Sequence, residues 1–362
     1  MLFQPLTTTS IQLANRTVMA PMTRSRADGA NTPNALMAEY YGQRASAGLI
    51  ITEGTSPSPN GLGYARIPGL FNEAQVRGWK QVTDAVHARG GKIFVQLMHT
   101  GRVSHAANLP AGAEVLGPMG TASPGQMHTD SLGMQPRSTP RAMNETDIAH
   151  AVEEYATSAR LAIEAGFDGV ELHAANGYLI EQFINANVNQ RSDAYGGSID
   201  GRNRFALEVA RATAAAIGAH RVGIRLSPYG VFNSTGAFPD VEPQYLALVQ
   251  ELSRLGLLYL HVLDHSAMDN YMSAPPVSTA FKLQLRAAFR GLFIVAGGFD
   301  RTRAEEALKA GHADLVAFAR SFIANPDLVE RMRTDEALNT MDPATFYTPG
   351  PKGYIDYPAL AA

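Results

Sequence analysis

Eight short apolar runs, each followed by a stretch long enough for a helix, constrain the fold of this chain more than any other feature of its sequence. The runs are rich in β-branched residues and contain few polar ones, which is typical of strands buried on both faces. They span residues 18–22, 49–52, 93–97, 169–172, 222–226, 257–262, 292–296 and 315–318. Eight alternations of strand and helix predict a closed (β/α)8 TIM barrel of the α/β class. An open doubly wound sheet has the same periodicity, although no GxGxxG motif opens the first strand–helix turn.

The clearest amphipathic helix is predicted over residues 145–165. Its apolar residues recur at spacings of three and four, which places them on one face of the helix. Asn144 can cap the first turn, with Asp147 three residues later, and Gly166 stands where a left-handed residue commonly ends a helix.

Two segments fall outside the strand–helix repeat. Residues 3–15 are expected to form a short N-terminal hairpin that plugs the floor of the barrel. Residues 101–143, rich in Gly, Pro, Ser and Met, form a long insertion after strand 3, and such insertions commonly pass over the mouth of an active site. No linker marks a second domain, so residues 1–362 are expected to form a single domain.

Composition and charge exclude several functional classes. The 362 residues include no cysteine, which rules out a disulfide framework, a thiolate zinc site, an iron–sulfur cluster and a cysteine nucleophile. A formal net charge of −3 argues against nucleic acid as a partner. No stretch approaches the roughly 18 apolar residues of a membrane helix, and the N-terminus does not resemble a signal peptide. We therefore expect a soluble cytoplasmic protein without a membrane partner.

Glycines and an arginine follow the last two strands, where barrels commonly bind phosphate. Gly297 and Gly298 follow strand 7 and would let backbone N–H groups approach an anion closely. Arg320 follows strand 8 and offers two parallel hydrogen bonds to the same anion. In the alternative interpretation the glycines are only turns and Arg320 pairs with a surface carboxylate.

Three hydrogen-bonding side chains follow strand 4. His173 and Asn176 lie three residues apart across the end of the strand, and Tyr178 comes two residues later. Together they could hold a carbonyl or nitro oxygen and donate a proton beside it, since tyrosine is protonated at neutral pH. A histidine in such a turn can equally be a structural one, and the residues alone leave both interpretations open.

His261, Asp264 and His265 near strand 6 could be considered as metal ligands. Their spacing matches no recognised zinc signature, so structural roles are favoured and no metal is expected.

Six blocks in chain order resemble those of the Old Yellow Enzyme family, in particular its N-ethylmaleimide reductase and pentaerythritol tetranitrate reductase-like members. The resemblance covers nearly the whole chain. The blocks are Ala20-Pro-Met-Thr-Arg24, Val95-Gln-Leu-Met-His-Thr-Gly-Arg102, Gly169-Val-Glu-Leu-His-Ala-Ala-Asn-Gly-Tyr-Leu179, Asn189-Gln-Arg-Ser-Asp-Ala-Tyr-Gly-Gly197, Gly223-Ile-Arg-Leu-Ser-Pro228 and Phe318-Ala-Arg-Ser-Phe-Ile-Ala-Asn-Pro-Asp-Leu328.

The resemblance implies an FMN-dependent ene-reductase, with a tightly but non-covalently bound FMN across the barrel mouth and NAD(P)H as reductant. Thr23 would contact the flavin O4 edge, Gln96 its pyrimidine edge, and Arg225 the N1 and O2 region. The residues implied in cofactor binding are Pro21, Met22, Thr23, Gly54, Gln96, Arg225, Gly297, Gly298, Ala319 and Arg320.

The resemblance also implies a small-molecule partner, an activated alkene such as an enone, a maleimide or a nitroalkene. His173 and Asn176 would bind its electron-withdrawing oxygen, and Tyr178 would donate the proton to the α-carbon. Tyr64, Met98 and Tyr347 would line the substrate pocket. A monomer or a homodimer is expected.

The sequence departs from the family pattern at several positions, and one other enzyme class stays open. The substrate pair is His/Asn, where His/His is frequent; Met98 replaces a frequent aromatic residue, and Ala319 a usual glycine. The alternative is a flavin-free barrel aldolase or isomerase acting on a phosphorylated substrate. A Schiff-base aldolase would need a lysine at a strand end, and no predicted strand ends in one.

Overall fold

The strands of the repeat form a closed barrel in the computed structural model, which describes residues 1–267 and 273–360. Each strand pairs in parallel with the next, and the eighth pairs with the first through Ala317 and Val18. The predicted (β/α)8 barrel is therefore confirmed. The barrel strands, numbered in chain order, are β1 Thr17–Met19, β2 Leu49–Thr55, β3 Ile93–Leu97, β4 Gly169–Ala174, β5 Val222–Leu226, β6 Tyr259–Leu263, β7 Leu292–Ala296 and β8 Leu315–Phe318.

The side chains of each strand alternate between two hydrophobic cores. Val18 and Ile294 belong to the cluster that fills the barrel, whereas their neighbours Met19 and Val295 belong to the larger cluster that includes the surrounding helices. Because successive side chains point to opposite faces of a strand, burial on both faces requires the continuous apolar runs seen in the sequence.

The helices lie between the strands and around them. The predicted helix at 145–165 is confirmed as Glu145–Glu164: Asn144 and Asp147 form a reciprocal capping box, and Gly166 follows the helix end at φ 90°. No helix in residues 1–267 and 273–360 is long and apolar enough to cross a membrane. The helices are α1 Ala35–Gln43, α2 Glu73–His87, α3 Glu145–Glu164, α4 Leu179–Ile184, α5 Ile199–Ile217, α6 Val241–Arg254, α7 Thr279–Ala288, α8 Arg301–Lys309, α9 Arg320–Ala324 and α10 Leu328–Thr334.

The N-terminal segment forms the predicted hairpin, and the insertion after β3 contains short strands of its own. Two short antiparallel strands, Leu6–Thr7 and Gln12–Leu13, make the N-terminal hairpin, and Leu13 packs into the cluster that fills the barrel. The insertion after β3 contains an antiparallel hairpin of Gln126–Thr129 with Gly133–Pro136. Its ends are tied by a short parallel pair, Leu116–Gly117 with Arg141–Ala142.

Near the C-terminus, a segment is held against the end of β1 by buried guanidinium groups. Arg24 donates to the carbonyl oxygen of Gly353 at 2.7 Å, and Arg26 donates to that of Thr345 at 2.7 Å. The rings of Tyr40 and Tyr354 stack with their centroids 4.0 Å apart, and Arg24 lies beside both. The backbone carbonyls of this segment thus supply the acceptors that the buried cations need.

Candidate active site

His173, at the end of β4, is a buried neutral imidazole. Burial, reinforced by the positive charge of Arg225, holds the pKa of His173 well below its usual range. Its Nδ1 accepts a hydrogen bond from the backbone N–H of Ala175 at 3.3 Å. In the neutral ring the other nitrogen, Nε2, must then carry the proton. His173 is therefore a hydrogen-bond donor through Nε2.

Asn176 lies in the following turn with its backbone in the left-handed region at φ 59°, which asparagine tolerates better than most residues. Its side-chain oxygen faces His265, with Oδ1 and Nε2 2.8 Å apart. Its side-chain nitrogen has no hydrogen-bond partner in the described part of the chain. The turn after β4 thus offers an N–H donor from Asn176 as well as one from His173.

Tyr178 stands beside this donor pair. Its ring meets that of His173 edge to face with centroids 4.9 Å apart, and its hydroxyl lies 3.1 Å from the hydroxyl of Tyr64. Burial, followed by the neighbouring Tyr64, raises the pKa of Tyr178 well above its ordinary value. The phenol is therefore protonated at neutral pH and can act as a proton donor.

The three other residues predicted to line a substrate pocket are near Tyr178. Met98 and Tyr64 share a small hydrophobic cluster with Tyr178. Tyr347 is 61% exposed. Burial raises the pKa of both Tyr64 and Tyr178, and the nearby phenol of Tyr347 adds to both shifts. The structure thus brings the predicted pocket residues together at the mouth of the barrel.

Below the mouth, β3 to β6 also place polar side chains inside the barrel. Gln96 donates to Oε1 of Glu171 at 2.8 Å, and the second carboxylate oxygen of Glu171 lies 2.8 Å from Nδ1 of His261. Arg225 is paired in register with His173 on one side and with His261 on the other. Its buried Nε has no hydrogen-bond partner among the described residues.

The unpartnered nitrogen of Arg225 indicates what kind of ligand these residues fit. A buried donor without an acceptor costs about 1–3 kcal/mol, so Arg225 is expected to donate to a ligand. Glu171 holds the Gln96 amide nitrogen, which leaves the amide oxygen to accept from a ligand N–H. A polar ring edge that carries both acceptors and an N–H, as the flavin pyrimidine does, fits this donor set.

The ends of β1 and β2 supply a close backbone surface next to these side chains. Gly54 lies in β2, and a Cβ atom at this position would stand 2.5 Å from Sδ of Met98, so a larger residue would displace the end of the Met98 side chain. Pro21 is buried, and Met22 and Thr23 are partly exposed just beyond β1. A flat ring could approach the backbone along this side of the mouth.

The residues predicted to bind phosphate end β7 and β8, which are paired through Ala296 and Ala317. Gly297 and Gly298 have φ angles of 121° and 60°, values that side-chain-bearing residues rarely adopt. Arg320 makes no ion pair or side-chain hydrogen bond within the described residues, so the alternative of a surface carboxylate partner finds no support there. Ala319 packs against the cluster that fills the barrel and directly precedes α9. Its backbone N–H has no backbone acceptor among the described residues.

The residues considered as metal ligands have separate partners instead. His261 contacts Glu171, His265 contacts Asn176, and Asp264 forms an ion pair with Lys282 at 2.8 Å. Among the described residues, no cluster of three or more His, Asp or Glu side chains could hold a metal.

Sequence reasoning missed two functional neighbours. Glu171 lies two residues before His173, so strand alternation could have placed both on the interior face. His265 is 89 residues from its partner Asn176, and no pattern in the sequence links them.

Comparisons with known proteins identify the family of this chain. Residues 1–339 match the model of the NADH:flavin oxidoreductase / NADH oxidase family. A 12-oxophytodienoate reductase 7 from Oryza sativa subsp. japonica is 43% identical over 379 residues, covering 99% of this chain and 94% of that protein. The structure of morphinone reductase has a TM-score of 0.94 at 45% identity, covering 99% and 96% of the two chains. The old yellow enzyme homologue from Zymomonas mobilis has a TM-score of 0.94 at 38% identity, covering 99% of both.

The barrel, its polar mouth and these matches define a class, the FMN-dependent barrel oxidoreductases that take electrons from a nicotinamide. The chain belongs to the NADH:flavin oxidoreductase / NADH oxidase family, and within it to the Old Yellow Enzyme group of ene-reductases. The resemblance seen in the sequence is therefore confirmed, and the flavin-free aldolase alternative is not favoured.

Proposed function

We propose that this protein reduces the C=C bond of activated alkenes, such as enones, maleimides and nitroalkenes, with reduced nicotinamide and FMN. The observation that carries the proposal is the turn after β4, where two N–H donors stand beside a protonated tyrosine. We also propose that residues 1–362 form one FMN-binding domain. Bound FMN would supply the redox chemistry, taking a hydride equivalent from the nicotinamide and passing it to the alkene.

The chain's own residues divide the binding of the cofactor between two sides of the mouth. Gln96, Arg225 and Thr23 would hold the polar edges of the flavin ring, and the positive charge of Arg225 would favour the anionic reduced form. The backbone at Pro21, Met22 and Gly54 would line the ring. The phosphate would be bound by Gly297, Gly298, Ala319 and Arg320, which supply N–H groups and one guanidinium.

His173 and Asn176 would bind the carbonyl or nitro oxygen of the substrate through Nε2–H and the amide N–H. Both donors are fixed before the substrate arrives, so they stabilise the negative charge that develops on that oxygen. Withdrawal of electrons through the oxygen makes the β-carbon of the alkene the electron-poor end. Tyr64, Met98 and Tyr347 would line the pocket around the rest of the substrate.

Tyr178 would donate its hydroxyl proton to the α-carbon, completing the addition of one hydride equivalent and one proton across the double bond. The resulting phenolate would keep the hydrogen bond to the hydroxyl of Tyr64, which lies 3.1 Å away. Tyr64 can therefore stabilise the phenolate and pass a proton back to it.

The test is a visible absorption spectrum of the purified protein, followed by anaerobic addition of NADPH or NADH and then of 2-cyclohexenone. We expect flavin bands that bleach with a reduced nicotinamide and return with the enone. Comparing the two nicotinamides in the first step identifies the preferred reductant. A colourless protein that takes up no added FMN would refute the proposal.

A further inference from the structure

Asn176 is held at three of its four polar groups. Its backbone N–H donates to Oγ of Ser227 at 3.0 Å, and its backbone carbonyl accepts from Nδ2 of Asn233 at 2.7 Å. Its side-chain oxygen accepts from Nε2 of His265 at 2.8 Å. Only the side-chain nitrogen is left without a partner in residues 1–267 and 273–360. The contact with His265 is the one that decides which end of the amide is free.

The direction of that contact follows from a backbone hydrogen bond on the far side of the His265 ring. The N–H of Val231 donates to Nδ1 of His265 at 3.2 Å, so Nδ1 carries no proton. In a neutral imidazole the proton is then on Nε2. Nε2–H must face an acceptor, which is the oxygen of the Asn176 amide. A flipped amide would bring two donors together.

The imidazole itself has little freedom to turn. The ring of Phe232 meets it edge to face with centroids 4.7 Å apart and an interplanar angle of 85°. On Gly230 an added Cβ atom would stand 3.0 Å from Cε1 of His265, so the ring packs closely against the backbone. His265 is buried, and burial lowers its pKa to about 4, which keeps the ring neutral near pH 7.

We propose that His265 is a positioning residue that locks the Asn176 amide with its N–H bonds toward the substrate oxygen. The proposal rests on the proposed function, since it gives a direction to one of the two substrate-binding donors. It also explains how an asparagine serves where a second histidine is frequent. An amide can present either an acceptor or a donor, and the bond from His265 removes the acceptor option.

The experiment compares three substitutions of His265 in the FMN-loaded protein. Glutamine places its amide nitrogen near the position of Nε2 and can still donate to Asn176. Asparagine places its amide nitrogen near Nδ1 and cannot reach, and leucine removes both nitrogens. The probe is 4-hydroxybenzaldehyde, titrated while the flavin spectrum is recorded, and Asn176→Ala is made alone and combined with His265→Leu.

We expect His265→Leu and His265→Asn to raise the Kd of 4-hydroxybenzaldehyde about tenfold, with FMN content unchanged. A tenfold change is about the contribution of one hydrogen bond. His265→Gln should stay within about twofold of the parent because it keeps the donor. In the Asn176→Ala background His265→Leu should have no further effect, since the amide that it positions is gone. If the leucine variant does not fold, the Gln and Asn variants carry the comparison.

Two other outcomes separate the inference from the function on which it rests. If Asn176→Ala weakens binding but His265→Leu and His265→Asn match the parent, the positioning role is overturned while the proposed function stands. An effect of His265→Leu that persists in the Asn176→Ala background also overturns it. If Asn176→Ala itself leaves the titration unchanged, the oxygen-binding role of Asn176 in the proposed function fails.

Discussion

One row of neighbouring residues around the barrel interior changes character halfway. In β4, β5 and β6 the row is His173, Arg225 and His261; in β7 and β8 it continues as Ile294 and Leu315. The last two belong to the hydrophobic cluster inside the barrel. The polar half instead contains buried nitrogens on Arg225 and His261 without partners among the described residues. Ile294 and Leu315 therefore find their packing partners within the described chain, whereas Arg225 and His261 keep buried nitrogens that the described residues do not bind.

We propose that this difference separates the parts of the interior that stabilise the fold from those that bind ligands. Each unpartnered buried polar group costs about 1–3 kcal/mol, whereas a buried aliphatic side chain contributes about 1.5–3 kcal/mol. The apolar half therefore stabilises the barrel, whereas the unpartnered nitrogens of Arg225 and His261 reduce stability unless a ligand supplies acceptors. If this division is correct, substitutions in the apolar half should lower stability but leave both half-reactions unchanged.

The largest effect is expected for Tyr178→Phe, at the rim of the polar half. Loss of the proton donor should slow reoxidation of the reduced protein by 2-cyclohexenone by about 10²-fold to 10⁴-fold. Reduction by NADPH should be unchanged, because that step does not use the tyrosine proton. Stopped-flow measurement of the two half-reactions checks this. Equal reoxidation rates in the variant and the parent would remove Tyr178 from the proton-donor role.

Glu171→Leu should come next, since it removes the shared partner of Gln96 and His261. Two hydrogen bonds to a buried carboxylate are lost, and stability should fall by about 3 kcal/mol in urea unfolding. The matched control, Glu171→Gln, keeps an acceptor for one of the two partners and should cost less. Equal stability of the leucine variant and the parent would show that this polar network does not hold the interior together.

Glu181, behind the turn after β4, should make stability depend on pH. Burial raises its pKa to about 7, from an ordinary value of 4.5, although Gly177, Ser227 and Tyr245 all donate to it. Between these values the native state holds a proton that the unfolded state has lost. Stability should therefore fall as pH rises from about 4.5 to 7, by at most about 3 kcal/mol from this group, and then level off.

The measurement for Glu181 is urea unfolding from pH 5 to 8, with Glu181→Gln as the control. The amide does not titrate, so this part of the slope should disappear in the variant. The same slope in both proteins would assign the pH dependence to other groups, of which Glu53, also buried with a pKa raised to about 7, is the first to test.

The smallest effect is expected in the apolar half. Ile294→Val removes one methylene from the hydrophobic cluster and should cost about 1 kcal/mol of stability. Both half-reactions and the titration with 4-hydroxybenzaldehyde should match the parent. The neighbours of Ile294 in the row are His261 and Leu315, and neither is predicted to bind FMN or substrate. A changed reoxidation rate in this variant would break the proposed division between the two halves.

Most of the barrel could be predicted because burial on both faces leaves a direct mark on the sequence. The predicted bounds of β3, β5, β7 and β8 match those observed. Strand β1 was predicted to reach residue 22 but ends at Met19, because Pro21 has no N–H for the ladder. Strand β2 was predicted to stop at residue 52 but continues to Thr55. A bulge between Ile51 and Gly54 accommodates the buried Glu53, and pairing with β3 resumes after it.

In the candidate site, the positions of the residues could be predicted, but the orientations of their side-chain atoms could not. The shared position of His173, Arg225 and Arg320 at one end of the barrel could be predicted, because parallel strands bring their carboxyl ends together. Which atom of each residue is free could not be predicted. The tautomer of His173 depends on a backbone N–H, and the orientation of Asn176 depends on His265, which lies on another loop.

The buried arginines beside β1 take their acceptors from residues that the ribosome adds much later. Arg24 and its acceptor Gly353 are 329 positions apart, so at about 5–20 residues per second roughly 15–65 s pass between their syntheses. The interval between the syntheses of β1 and its neighbour β8 is almost as long. During that interval the guanidinium groups of Arg24 and Arg26 have only water as acceptor for the bonds that residues 345–353 later provide. The contacts of residues 345–353 with Arg24 and Arg26 can therefore form only after β8, the strand that closes the barrel, has been synthesised.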